Sequence, residues 1–202
     1  MQNMQPRIMI TGVPGVGKTT ISNNPRVGDV DVFVQTFGEL MLLKGKEMGA
    51  IQTAADLAKI PLRLREQLQM LAVDRILEDA KSVPVVIDGH LLVDTPTGFV
   101  PGLPYECVAK LDLSAVIILT ASPADILARR ENNKAKYQLL NGKSGPERVA
   151  FHEELLIKAS LQYAILSGAS LECVPNHQGE IENTVQSLIV LLEKLIPGLP
   201  SD

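Results

Sequence analysis

The sequence predicts a doubly wound α/β domain, with about five parallel strands in one sheet and helices on both of its faces. Three observations predict it. Short apolar runs alternate along the chain with longer stretches whose apolar residues recur at helical spacing. Two of those runs, 83–87 and 115–120, are apolar along their length, as strands covered on both faces must be. The 202 residues suit a single domain, and they contain no internal repeat or low-complexity tract.

In chain order, residues 8–11 form the first apolar run and 32–37 the second. Leu64, Leu68, Leu71, Ile76 and Ala80 then recur every three to five residues, with Arg65, Gln69, Asp74 and Glu78 on the other face. That pattern is an amphipathic helix starting behind Pro61. The third run, 83–87, leads into a segment, 89–105, punctuated by Pro96, Gly98, Pro101, Gly102 and Pro104, which is expected to be a long rigid loop. After the fourth run, 115–120, Pro123 opens a helix, and the polar stretch 131–145 reads as a flap. Pro146 opens another helix, 171–174 is the fifth strand, and 180–195 is a last helix.

Composition excludes several classes of function. Apolar residues are 46% and charged residues 21% of the chain, which suits a packed globule and not a disordered one. With 19 basic and 23 acidic residues the net charge is -4, and aromatics are 3% with no Trp, so nucleic acid is not expected as a partner. A small anion is compatible, because a few placed cations decide its binding. Cys107 and Cys173 have no zinc-ligand spacing and suit a reducing, cytoplasmic setting. The first ten residues do not resemble a secretory signal. The longest apolar runs are about a quarter of the ~20 residues a membrane span needs.

Gly12-Val13-Pro14-Gly15-Val16-Gly17-Lys18-Thr19 matches GxxxxGK[ST], between a strand and a helix-permissive segment. Glycines let the backbone curl close to phosphate oxygens. The N–H groups of Gly15, Val16, Gly17, Lys18 and Thr19 then converge on an anion at the positive end of a helix, with Thr20 beside them. Lys18 is expected to reach the β- and γ-phosphates, and Thr19 to ligate Mg²⁺. Val85-Val86-Ile87-Asp88, an apolar strand ending in a carboxylate, has the Walker B form, with Asp88 on the metal side and His90 two residues on. ATP or GTP is the expected ligand.

Together these features resemble the archaeal-type adenylate kinases, nucleoside monophosphate kinases of the P-loop fold. The most specific part of the resemblance is Thr95-Pro96-Thr97-Gly98-Phe99-Val100-Pro101-Gly102-Leu103-Pro104. Asp88-Gly89-His90 adds to it, as do residues 163–169, and Thr36-Phe37-Gly38 stands where that family has Asn-Phe-Gly. The likeness covers nearly the whole chain, with a shortened helix after the Walker A. It implies ATP-dependent transfer to a nucleoside monophosphate, most simply AMP, within one domain. Its core would be 1–36, 83–130 and 146–202, its acceptor-binding insertion 37–82 and its lid 131–145.

The implied roles are catalytic for Lys18, Asp88, Arg129 and Arg130, with Thr19 and Asp88 on Mg²⁺. The phosphate cradle is Gly12 and Gly15 to Thr20, and the acceptor side is Phe37, Gly38, His90, Gly98, Gly102 and Leu103. Three departures concern guanidinium groups. Leu57-Ala58-Lys59-Ile60 stands for Met-Arg-Lys-Leu, Leu156-Ile157 for Asn-Arg, and Lys134-Ala135-Lys136 for the lid's Arg-x-Arg. Arg forks grip phosphate bidentately and Lys does not. Arg63, Arg65, Arg129, Arg130 and Arg148 are candidate replacements. A kinase of another small acceptor, a slow ATPase, and a nucleotide-binding interaction protein without transfer activity are the competing expectations.

Overall fold

A computed structural model of the chain describes residues 4–28, 30–95, 97–133, 137 and 145–196. Its strands are β1 (Arg7–Thr11), β2 (Phe33–Thr36), β3 (Val85–Asp88), β4 (Leu92–Thr95), β5 (Gly98–Pro101), β6 (Ala115–Thr120) and β7 (Ser170–Pro175). Five of them form one sheet in the order β2-β3-β1-β6-β7, every neighbour parallel. The three middle strands are buried along their length, except at Thr120, which is why β3 and β6 are apolar without alternation. Register sets Asp88 beside Ile10 and Thr36, so β1, β2 and β3 end together at one edge. In such sheets ligands sit outside the carboxyl ends of the strands, where the chain order reverses about β1.

The helices are α1 (Lys18–Ser22), α2 (Pro25–Gly28), α3 (Phe37–Glu47), α4 (Leu62–Asp79), α5 (Tyr105–Leu111), α6 (Pro123–Glu131), α7 (Pro146–Ser167) and α8 (Ile181–Leu195). A 3₁₀ turn, Ala54–Ala58, is opened by a capping box between Thr53 and Asp56. α1 is one short helix that stops at Ser22, with Asn23 as its C-cap and the Asn23 N–H on the Thr19 carbonyl at 3.1 Å. Ser122 caps α6 by accepting from the Asp125 N–H at 3.1 Å, and Pro123 supplies a preset first turn. The core joins Ile8, Met9, Ile10 and Ile117 of the sheet to Leu68, Ala72 and Ile76 of α4, and to Leu188 and Leu192 of α8. One face of α4, with Leu68, Ala72, Val73 and Ile76, is buried in this core.

One expectation is corrected. The segment 89–105 is not a loop throughout: β4 and β5 pair antiparallel as a hairpin, with Leu92 opposite Pro101 and Thr95 opposite Gly98. It is tied down on every side. The Leu91 N–H donates to Thr11 Oγ1 at 3.2 Å, and Gln69 Nε2 donates to the Gly102 carbonyl at 2.8 Å. The Tyr163 hydroxyl lies 2.9 Å from the Leu103 carbonyl and 3.2 Å from that of Leu91. Among the described residues no helix is long and apolar enough to cross a membrane. Most of the expected lid, 134–136 and 138–144, with Lys134 and Lys136, lies outside the described residues.

Candidate functional site

β1 runs out of the sheet into the turn 12–17, whose shape demands glycine at defined places. Gly15 and Gly17 have φ of +92° and +106°, values that side chains other than glycine rarely adopt. At Gly12 the constraint is space: a Cβ there would lie 2.7 Å from Val16 Cγ1 and 2.8 Å from the Leu119 carbonyl oxygen. The Val16 side chain is in the core, and its N–H donates to the Val13 carbonyl at 3.1 Å, closing the turn.

Three side chains, two from the start of α1 and one from the end of β3, meet at this turn. Lys18 Nζ is 3.9 Å from Asp88 Oδ1, and Thr19 Oγ1 donates to Asp88 Oδ2 at 3.1 Å. Lys18 is 7% and Asp88 4% exposed, so the pair sits in a low dielectric where its charges act strongly on a neighbour. Thr20, one residue further along α1, faces solvent. An ammonium, a hydroxyl and a carboxylate converging beside a curled backbone is a donor set that suits a polyphosphate carrying a hard divalent cation.

Arg129 and Arg130, in the last turn of α6, both reach backbone carbonyls of this turn. Arg129 Nη1 donates to the Val16 carbonyl at 2.9 Å, Nη2 to the Asn176 carbonyl at 2.8 Å, and Nε to Gln178 Oε1 at 3.2 Å. Arg130 donates through Nε to the Pro14 carbonyl at 2.8 Å and lays its stem against Gly15. Burial lowers the Arg130 pKa, which still leaves a guanidinium charged. Asn176 joins them, with Nδ2 2.7 Å from the Val16 carbonyl. The loop from Asn176 to Gly179 is expected from sequence to lie near the nucleotide base. The grip of the Asn176 side chain on Val16 had no sequence signal, since the partners are 160 residues apart.

The residues expected on the acceptor side divide. His90 is exposed just past Asp88, and Gly38 has nothing within 4 Å of where its Cβ would be. Phe37 and Leu103 are packed in the core. Gly102 lies against the His90 carbonyl, while Gly98 sits at the hairpin's turn with φ of +131°. Arg148 is taken up by Asp94, with Nε 2.9 Å from Oδ2 and a second bond from Nη2 to Oδ1, and its guanidinium lies 4.2 Å from the Phe99 ring centroid. That bonding holds the Asp94 carboxyl below its usual range. Arg65 reaches the Leu57 carbonyl at 3.4 Å. Leu156 and Ile157, which replace the family's Asn-Arg, pack into and against the core.

The sheet order and the glycine-shaped cradle beside Lys18, Thr19 and Asp88 define a P-loop nucleotide-binding domain of the kinase kind. The family described as AAA domain matches over residues 11–139. An adenylate kinase from Pyrococcus furiosus is 32% identical over 188 residues, which is 92% of this chain and 94% of that protein. One from Methanopyrus kandleri is 28% identical, over 93% of this chain and 98% of that protein. The chain belongs to the archaeal-type adenylate kinase family and is a nucleoside monophosphate kinase. Two solved structures share its fold. Shikimate kinase from Bacteroides thetaiotaomicron has a TM-score of 0.59 at 19% identity, covering 94% of this chain and 99% of that one. The Acinetobacter baumannii enzyme, in complex with shikimate, has 0.57 at 17%, covering 97% and 96%.

Proposed function

We propose that the chain transfers the γ-phosphoryl group of ATP to AMP, with Mg²⁺, giving two molecules of ADP. The observation that supports this best is the meeting of Lys18, Thr19 and Asp88 at the Gly12–Gly17 turn. Lys18 balances charge on the β- and γ-phosphates, and the backbone N–H groups of the turn orient them. Thr19 and Asp88 would hold the magnesium ion, which screens phosphate charge. Among the described residues no group of three His, Cys, Asp or Glu is placed to hold a metal ion. An oxygen of the acceptor phosphate attacks the γ-phosphorus as the bond to the ADP oxygen breaks. That oxygen is already anionic at neutral pH, so no strong general base is needed.

Arg130, anchored through Nε, offers its terminal amino groups to the transferring phosphoryl. Arg129 acts from behind, holding the turn and the base-side loop together. Gly38, His90 and Gly102 line the acceptor side, between the stretch 37–82 and the hairpin. A kinase of another small acceptor is the second reading, favoured by apolar packing at Leu156 and Ile157 where the family has Asn-Arg.

A coupled assay with Mg²⁺ and ATP, offering AMP, CMP, UMP, GMP, shikimate or no acceptor, separates these readings. We expect ADP formation that requires AMP and falls by about two to three orders of magnitude in Lys18→Ala. Turnover with a different acceptor would establish the second reading. ATP loss indifferent to every acceptor would leave an ATPase, and binding with no turnover would leave an interaction protein.

A further inference from the structure

We propose that Asn176 is a positioning residue for phosphate binding: its carboxamide fixes the Val16–Gly17 peptide plane so that the Gly17 N–H faces the phosphates. The proposal rests on the nucleotide-binding role given above to the turn 12–19 and deepens it.

The Val16 carbonyl oxygen has two lone pairs, and both are used. Asn176 Nδ2 donates at 2.7 Å and Arg129 Nη1 at 2.9 Å. A trans peptide is planar, so its C=O and N–H point in opposite directions. Two donors that hold the Val16 carbonyl outward therefore aim the Gly17 N–H inward, without touching a ligand. The restraint matters at this position because a glycine at φ +106° would otherwise swing freely.

The carboxamide is itself held. Asn176 is 5% exposed, and its Oδ1 lies 3.2 Å from Thr184 Oγ1, a hydroxyl that also lies 3.1 Å from the Pro175 carbonyl and 3.2 Å from that of Glu180. Turning the amide over would set Oδ1 against the Val16 oxygen, acceptor against acceptor, so the donor must face the turn. The Asn176 backbone is fixed as well, its N–H on the Thr120 carbonyl at 2.7 Å and its carbonyl on Arg129 Nη2 at 2.8 Å. Nδ2 also occupies the space of a side chain at position 17, lying 2.5 Å from where a Cβ would be. One amide thus fixes the peptide plane and fills the space that a side chain at position 17 would need.

The test measures binding of inorganic tripolyphosphate and of adenosine separately, by calorimetry, in the wild type, Asn176→Ala and Thr184→Val, with Lys18→Ala alongside. Asn176→Ala should lose about tenfold in tripolyphosphate affinity and keep its adenosine affinity. In turnover, KM for ATP should rise while KM for the acceptor stays unchanged. Thr184→Val removes the hydroxyl beside Oδ1, loosening the carboxamide's hold, and should lose about threefold in the same direction, which keeps the test sharp if Asn176→Ala does not fold. Adenosine affinity that falls while tripolyphosphate affinity stays would make Asn176 a base reader and overturn the proposal. So would wild-type tripolyphosphate affinity in whichever variant folds, when Lys18→Ala has lost it. A wild type that binds no tripolyphosphate would instead remove the nucleotide reading, and the proposal with it.

Discussion

Glycine positions that look alike in the sequence differ sharply in what they demand. A Cβ at Gly102 would fall inside the His90 carbonyl oxygen, an atom of the backbone that cannot turn aside. Gly102→Ala therefore forces the hairpin away from the Asp88–His90 turn, and we expect a loss of about 2–4 kcal/mol in denaturant unfolding. Gly38, in the first turn of α3, has open space and no left-handed φ. Gly38→Ala should leave stability unchanged or raise it by up to about 1 kcal/mol, since alanine favours helix. A change in acceptor KM in that variant would then report a direct contact. The turn 12–19 was legible as a motif because a backbone angle or a close approach fixes its glycines. Asn176 was legible only as part of a loop near the ligand, because its role depends on a partner at the other end of the chain.

At the scale of elements, the structure rests on how α7 holds the hairpin. The Tyr163 hydroxyl, buried on α7, has one proton and two carbonyls within reach, Leu91 and Leu103. The Leu91 carbonyl also accepts from the Gly102 N–H at 2.9 Å, so Leu103 is the one left bare if the hydroxyl goes. Tyr163→Phe should cost about 1–3 kcal/mol in urea unfolding. It should also speed proteolytic cleavage between β4 and β5, near 96–97. These two strands escaped sequence reading for a physical reason: each has four residues, and Pro96, Gly98, Pro101 and Gly102 all signal turns. The helices opened by Pro61, Pro123 and Pro146 were legible, because proline at a helix start acts through neighbours alone. The parallel strands were legible as apolar runs. Their order was not, since nothing local in β1 says that β3 and β6 flank it.

Across the whole molecule, acid stability should be divided among groups that the fold treats in opposite ways. His152 is buried between α7 and the hairpin, its Nε2 3.3 Å from the Leu92 carbonyl and its ring 5.0 Å from that of Phe99. Burial lowers its pKa below the ordinary 6.5, outweighing the Leu92 carbonyl and Asp94, which favour its charged form; Arg130 and Arg148 oppose that form. Below pH 6.5 the unfolded chain then binds a proton at His152 that the folded chain refuses, so stability falls as pH drops. Glu153 works the other way. Burial raises its carboxyl above the ordinary 4.5, against the Ala121 N–H that favours the anion. The folded chain takes that proton first, so stability is gained as pH falls from the raised value towards 4.5. Asp94, lowered by Arg148, adds stability that is complete above 3.8 and lost only as pH falls below it. Urea unfolding at pH 7.5, 6, 5 and 4 should thus show wild-type stability declining first as pH drops through 6.5. His152→Gln should flatten that first decline, and Glu153→Gln should steepen the curve as pH falls towards 4.5, because the opposing gain is gone. Equal slopes in all three proteins would mean that neither group is held in its neutral form by the fold.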